Sequence, residues 1–173
     1  MHMHKDFLAA IHAVCGRWKE LLDDHAAFAA GLKAHDPVPT TVGIKVADQA
    51  ALLTTIAAYF EQGDQVHFGP VDDRTIATIR KPEPILGGIR FIKILERKPG
   101  KDDPTGIEHL DVLLSGNPDM ADVLRQCQAA GLDAREQHNE SHGWVSIDRR
   151  GFEFKLTDHT VWDVCIKEMR EAK

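Results

Sequence analysis

The chain repeats itself. Gly63 lies 22 positions after Thr41, and Gly131 lies 22 positions after His109; each span holds strand, capping residue, amphipathic helix and glycine stop in one order. Such a repeat constrains folding more than a single motif does, because both copies must bury their apolar faces in the same way. In the first copy, residues 41–46 are a β-rich run. Asp48 stands as an N-cap, and Leu52/Leu53, Ile56 and Tyr59/Phe60 recur at helical spacing before Gly63 closes the helix. Strands are expected at 65–68, 75–80 and 89–96, with Asp72-Asp73 in the first turn and Pro82 and Pro84 in the second connection. In the second copy, residues 107–114 form a strand and Asn117-Pro118 supplies a cap and a first helical proline. The stripe Val123/Leu124, Cys127 and Ala130 ends at Gly131, and strands follow at 132–137, 144–147 and 152–157. Each copy reads βαβββ, which makes the chain α/β (α+β) in class.

Helical patterns flank the repeat. From Lys5 to Leu32 one apolar face recurs through Phe7/Leu8, Ile11, Val14/Cys15, Trp18, Leu21/Leu22 and Phe28. A break is expected near Asp23-Asp24, with one aspartate capping the second piece, and a proline-containing connector at 34–39. Asp158 is expected to cap a final helix through Val161/Trp162, Cys165/Ile166 and Met169. The expected organisation is one domain, 1–173: a helical segment 1–34, modules 40–97 and 106–158, and a C-terminal helix 159–173. The outer face of the first helix is polar (Arg17, Lys19, Glu20, Asp24), which favours packing within the chain over packing on a partner or a second copy in a homodimer.

Composition excludes several functions. With 43% hydrophobic and 28% charged residues the chain is globular in type, and its net charge of −6 disfavours general affinity for nucleic acid or anionic lipid. Arg149-Arg150 leaves room only for a local basic patch or a solvated bend. No stretch reaches the roughly 20 apolar residues of a membrane span. Cys15, Cys127 and Cys165 fall on helical stripes without C-x-x-C spacing, as expected for reduced thiols in a cytoplasmic protein. There is no G-x-G-x-x-G, P-loop or G-x-S-x-G motif.

The tandem βαβββ pattern, with His109-Leu110-Asp111-Val112 opening its second copy, resembles the vicinal oxygen chelate superfamily of glyoxalases and extradiol dioxygenases. More narrowly it resembles the YecM-like branch, through 74–84, 89–100, 106–116, Phe154-Lys155-Leu156 and the added terminal helices. The resemblance implies a cupped mixed sheet. It also implies ligand places at Thr41, Glu96, His109 and Lys155, of which Glu96 and His109 are of the usual ligand type. A divalent metal (zinc, manganese, nickel or iron) would then sit on His109 and Glu96, with Lys155 orienting or neutralising an acidic substrate.

The residues carry their own readings. Leu110, Val112 and Leu114 alternate onto one face of a strand, and His109 and Asp111 onto the other, where an imidazole could ligate or exchange a proton. Phe152, Phe154 and Leu156 oppose Glu153, Lys155 and Thr157 in the same way, and Lys155 reads as an ion pair, an anion contact or an amine base. Glu96 ends a strand beside Ile92 and Ile94, with Lys93 on the opposite face. His138-x-x-x-His142 falls on a hairpin turn, not a helix face, and His2 and His4 are terminal. Two functional classes follow: a metal-dependent isomerase, lyase or dioxygenase acting on a small oxygenated molecule, or a non-catalytic protein holding a small ligand in the same cup.

Overall fold

The computed structural model describes residues 5–71, 74–138 and 142–171, with side chains given for these except at 70 and 71. The expected turn at Asp72-Asp73, the centre of the 139–141 hairpin and the terminal His2 and His4 lie outside the described residues. The chain opens with helices α1 (Lys5–Asp24) and α2 (Ala26–Leu32) and a 3-10 turn at Lys33–His35. The first module is β1 (Val38–Val46), α3 (Gln49–Tyr59), β2 (Gln65–Val71), β3 (Arg74–Arg80) and β4 (Phe91–Glu96). The second is β5 (Gly106–Leu113), α4 (Met120–Ala129), β6 (Asp133–His138), β7 (Gly143–Arg149) and β8 (Phe152–Thr157), and α5 (Val161–Glu171) closes the chain.

All eight strands form one sheet in the order β2-β3-β4-β1-β5-β8-β7-β6. Each module folds the same way: its first strand pairs parallel with its last, β1 with β4 and β5 with β8. The modules meet through the antiparallel pair β1–β5. This is the mixed sheet of two tandem βαβββ modules that the resemblance implies.

One face of the sheet carries the main core. Val42, Ile44, Ile92, Ile94, Leu110, Val112, Phe154 and Leu156 are buried there with α1–α4. Helix α1 presents Phe7, Ile11, Val14, Trp18 and Leu21 at three- and four-residue steps. Phe7 stacks on Tyr59, and Trp18 packs on Phe154. This helix is docked on its own sheet, so its apolar stripe is not offered to a partner. Arg149 pairs with Asp24 and Arg150 reaches Glu20 at 3.8 Å, so the two arginines of the β7–β8 hairpin tie it to α1.

Several helix ends differ from expectation. His25, not an aspartate, occupies the N-cap of α2 and makes no side-chain capping bond, because Asp24 is drawn to Arg149. Helix α3 keeps its expected cap, with Asp48 Oδ1 accepting from the Ala51 amide at 2.8 Å, but ends at Tyr59; Gly63, at φ +95°, belongs to the turn beyond. Asp119, not Asn117, caps α4, because Asn117 is in a left-handed conformation at φ 54°. Thr160, not Asp158, opens α5: its hydroxyl accepts from the Asp163 amide, and Asp163 accepts from the Thr160 amide in return. At the end of α4 the expected stop holds. The Gly131 amide donates to the Gln128 carbonyl and the Leu132 amide to Cys127, a Schellman closure around a glycine at φ +75°.

Lys81 is among the largest fully buried side chains of the described residues. Its ammonium donates to the Tyr59 carbonyl and the Asp64 carboxylate, both at 2.7 Å, and to Glu61 at 3.3 Å, fastening the end of α3 to the end of β3. Asp64 is itself only 1% exposed in its side chain. Lys81→Met strands that carboxylate, and urea unfolding should show a loss of about 3–5 kcal/mol. Lys81→Met with Asp64→Leu should recover much of it. A single-variant loss below about 1 kcal/mol would mean that water screens the pair.

Candidate functional site

The second face of the sheet holds the polar residues. On β5, Leu110 and Val112 enter the core, while His109 and Asp111 face the concave side and are nonetheless buried. His109 fits there because Gly43 stands opposite it on β1: a Cβ at 43 would overlap the imidazole. Beyond this pair the register slips, since Ile44 faces Ile107, and Glu108 becomes the extra residue of a β-bulge. In a regular strand Glu108 would point away from His109. The bulge brings its carboxylate 3.2 Å from His109 Nδ1 and 2.6 Å from Lys45 Nζ, and Lys45 reaches Asp103 at 3.3 Å.

These contacts set the protonation. Burial alone would raise the Glu108 carboxyl, but the bonds from His109 and Lys45 outweigh it and hold it at about 2. Burial pushes the His109 imidazole down, and the charge of Lys155 acts in the same direction. A neutral imidazole bonded to a carboxylate carries its proton on Nδ1, so Nε2 is left as an acceptor. Nε2 lies 3.6 Å from Asp111 Oδ1, and neither atom has a hydrogen-bond partner among the described residues although both are buried. Orphaned buried polar atoms are rare, and two facing each other mark a point where a ligand donor or water would close the network.

Two lysines flank this pair. Lys155 on β8 is paired with Asp111, lies 3.5 Å from Glu153 and sits over the Trp144 ring at 5.3 Å; Ser146 donates to Glu153 from β7. Lys93 on β4 is paired with Gly43. Counting from the equivalence of Thr41 with His109, Lys93 is the first-module counterpart of Lys155. Burial pushes the Lys93 ammonium down, followed by repulsion from Lys155, and no ion pair with it occurs among the described residues. Thr41 is fully buried and has its hydroxyl 3.5 Å from that of Thr40.

The first-module half of the cup is covered by α5. Trp162 stacks on Phe91 with Cys165 beside them, a small cluster separate from the main core. A cavity of about 50 Å³ remains under the helix, with His67, Thr78, Lys93, His142, Cys165 and Glu168 in its wall. His142 turns towards Trp144 and His159, and burial brings its imidazole down to about 4; His138 is exposed at the end of β6.

Glu96 is not brought to His109. It shares the strand face of Ile92 and Ile94, its carboxylate accepts from the Thr75 amide at 3.3 Å, and its carbonyl accepts from Arg74. The donor set does not fit a resident divalent ion. His109 and Asp111 offer one nitrogen and one carboxylate, and both lysines add positive charge beside them. Among the described residues no three His, Cys, Asp or Glu side chains converge as ligands. The sequence reading missed Glu108 and Lys93. Lys93 had left a signal, as a lone charge opposite an isoleucine face, whereas Glu108 left none because a bulge has no sequence mark.

No protein-family model matches the chain, and none of the curated proteins matches it by sequence. Solved structures do match. The structural-genomics protein EC4020 aligns over 95% of this chain and 92% of its own, with a TM-score of 0.71 and 14% identity. Methylmalonyl-CoA epimerase of Streptomyces coelicolor aligns over 69% of this chain and 94% of its own, with a TM-score of 0.51 and 15% identity. The chain shares with these proteins a glyoxalase-like fold built of βαβββ modules. Homoprotocatechuate 2,3-dioxygenase of Brevibacterium fuscum shares it over 71% of this chain and 36% of its own, with a TM-score of 0.50 and 11% identity. At these identities the likeness is one of fold alone. Among the described residues no helix is long and apolar enough to cross a membrane.

Two outcomes test the site's construction. Gly43→Ala should displace the His109 ring and cost about 1–3 kcal/mol, the range for overpacking. In a His109→Ala background the same change should cost far less, and equal costs would deny the contact. The second outcome concerns pH. His109 and His142 bind protons less readily folded than unfolded, so the contribution of each is full above the ordinary histidine value of 6.5 and declines below it, that of His142 being lost as pH falls towards about 4. Urea midpoints should fall across that window, and His142→Gln should flatten the fall; an unchanged slope would remove His142 as a contributor.

Proposed function

We propose that this protein is an enzyme that takes a small carboxylate-bearing carbonyl compound into its concave face and moves a proton on it without a resident metal ion. The observation behind this is the facing pair of partnerless buried atoms, His109 Nε2 and Asp111 Oδ1, set beside Lys155. His109, oriented by Glu108 through Nδ1, is a neutral base with its lone pair on Nε2. Lys155 supplies positive charge for the substrate carboxylate or for the oxyanion that develops when a proton leaves the adjacent carbon. Lysine holds such charge as a compact point and asks for no ligand geometry. Glu96 takes no part in this reading.

The YecM-like resemblance belongs with the proposal. It is supported by the 95% span of the EC4020 likeness, too broad to leave out all the helices flanking the two modules. A cytoplasmic location accords with three free thiols at Cys15, Cys127 and Cys165.

The test is deuterium exchange. A panel of 2-oxo and 2-hydroxy acids with their neutral amides is incubated with the protein in D₂O, with and without chelator, and followed by NMR. We expect exchange at the carbon beside the carbonyl of an acid and not of its amide, unaffected by chelator. His109→Gln should slow it about 100-fold or more, and Lys155→Met should weaken acid binding most. Stoichiometric metal in the purified protein with chelator-sensitive exchange would overturn the metal-free reading. Binding of acids without exchange would leave a ligand-holding protein in place of an enzyme.

A further inference from the structure

Among the interior lysines, Lys93 differs in having no counter-ion among the described residues. Lys45 meets Glu108 and Asp103, Lys81 meets Asp64 and Glu61, and Lys155 meets Glu153. Lys93 lies mid-strand between Gly43 of β1 and Thr78 of β3, and it lines the cavity beneath α5. The titratable groups facing it come from every neighbouring element: His67 from β2, Glu108, His109 and Asp111 from β5, Lys155 from β8, Cys165 and Glu168 from α5, and His142. None of these carboxylates is within ion-pair distance, and Glu168 is taken by His67 at 2.9 Å. The Cys165 thiol lies in the same cavity wall as Thr78, and burial pushes it up. The cavity of about 50 Å³ holds a few waters at roughly 10–15 Å³ each, which is room for a molecule of two or three carbons.

From this placement we propose that Lys93 is a nucleophilic amine that captures a small aldehyde or 2-oxo acid as an imine. A lysine part-buried in a cavity wall, without a carboxylate within ion-pair distance among the described residues and set beside a second cation, loses its proton more readily, which is how an amine is prepared for carbonyl attack. The Nζ lone pair forms the C–N bond while the carbonyl electrons move to oxygen, which takes the proton released by nitrogen. The resulting hydroxyl takes a second proton from solvent and leaves as water as the nitrogen lone pair closes the C=N bond. The iminium keeps one positive charge and nothing is oxidised or reduced. The inference deepens the proposed function and rests on it, since it gives the carbonyl compound a covalent anchor in the same cup.

The test is reductive trapping of the intact protein with glyoxylate and, separately, pyruvate in the presence of cyanoborohydride, read by intact mass and peptide mapping. The expected result is one dominant adduct on the peptide carrying Lys93, absent from Lys93→Arg. The trapping rate should rise with pH to a half-point below that of the surface lysines. Lys155→Met should move that half-point upward by removing a like charge. Adducts spread equally over surface lysines, or unchanged in Lys93→Arg, overturn the inference. Non-covalent binding of both acids, followed in parallel by NMR without reductant, separates the two readings. Binding without trapping at Lys93 sinks the imine alone, whereas neither binding nor trapping sinks the site as well.

Discussion

The concave face depends on how closely β1 and β5 approach at Gly43. The two modules are joined through one antiparallel strand pair, β1–β5, with Val42 and Leu110 buried on the helical side of the seam. On the other side, the absence of a side chain at 43 lets the His109 imidazole lie at the centre of the sheet with only 1% exposure. A ring that deep must remain neutral and must find a partner for its N–H. The bulge at Glu108 meets that need, and Lys45 in turn satisfies Glu108. Removing the glycine would disturb a chain of four groups reaching to Asp103.

The two halves of the cup have diverged in use. In the first, α5 fills the space above β2–β4 and Trp162 covers Phe91, leaving only the small cavity at Lys93. In the second, Lys155, Glu153, Ser146 and Trp144 form a polar patch beside His109 and Asp111. Fold symmetry therefore does not carry chemical symmetry. Corresponding strands place a lysine at corresponding points, Lys93 and Lys155, yet Lys155 lies beside Glu153 and over Trp144, whereas Lys93 has no ion pair among the described residues. This divergence leaves Lys93 and Lys155 as positive charges beside His109 and Asp111, where no third ligand group converges among the described residues.

Much of this was legible in the residues. Alternation separated His109 and Asp111 from Leu110 and Val112, and Lys155 from Phe154 and Leu156, because a strand sends successive side chains to opposite faces whatever surrounds it. The glycine at 131 marked the end of α4, since its left-handed backbone is costly for other residues. Capping was read less well. Asp24, Asn117 and Asp158 each have capping chemistry, but Arg149 drew off the first, backbone geometry displaced the second, and Thr160 with Asp163 made a reciprocal pair two residues beyond the third. Glu96 illustrates the same limit: the residue type suited a ligand, but parity placed it on the face away from His109.

The sequence by itself determined the local and periodic features: two βαβββ modules, the faces of their strands, the apolar stripe of α1, and a net negative charge that turns away polyanions. These follow from spacing along the chain, which is fixed before folding. Only the tertiary structure decided which residues meet. The seam that sets Gly43 against His109, the bulge that turns Glu108 to the imidazole, and the seating of α5 over Lys93 each join segments far apart in sequence. Their energies depend on burial and on opposing charges, and neither exists until the sheet has closed.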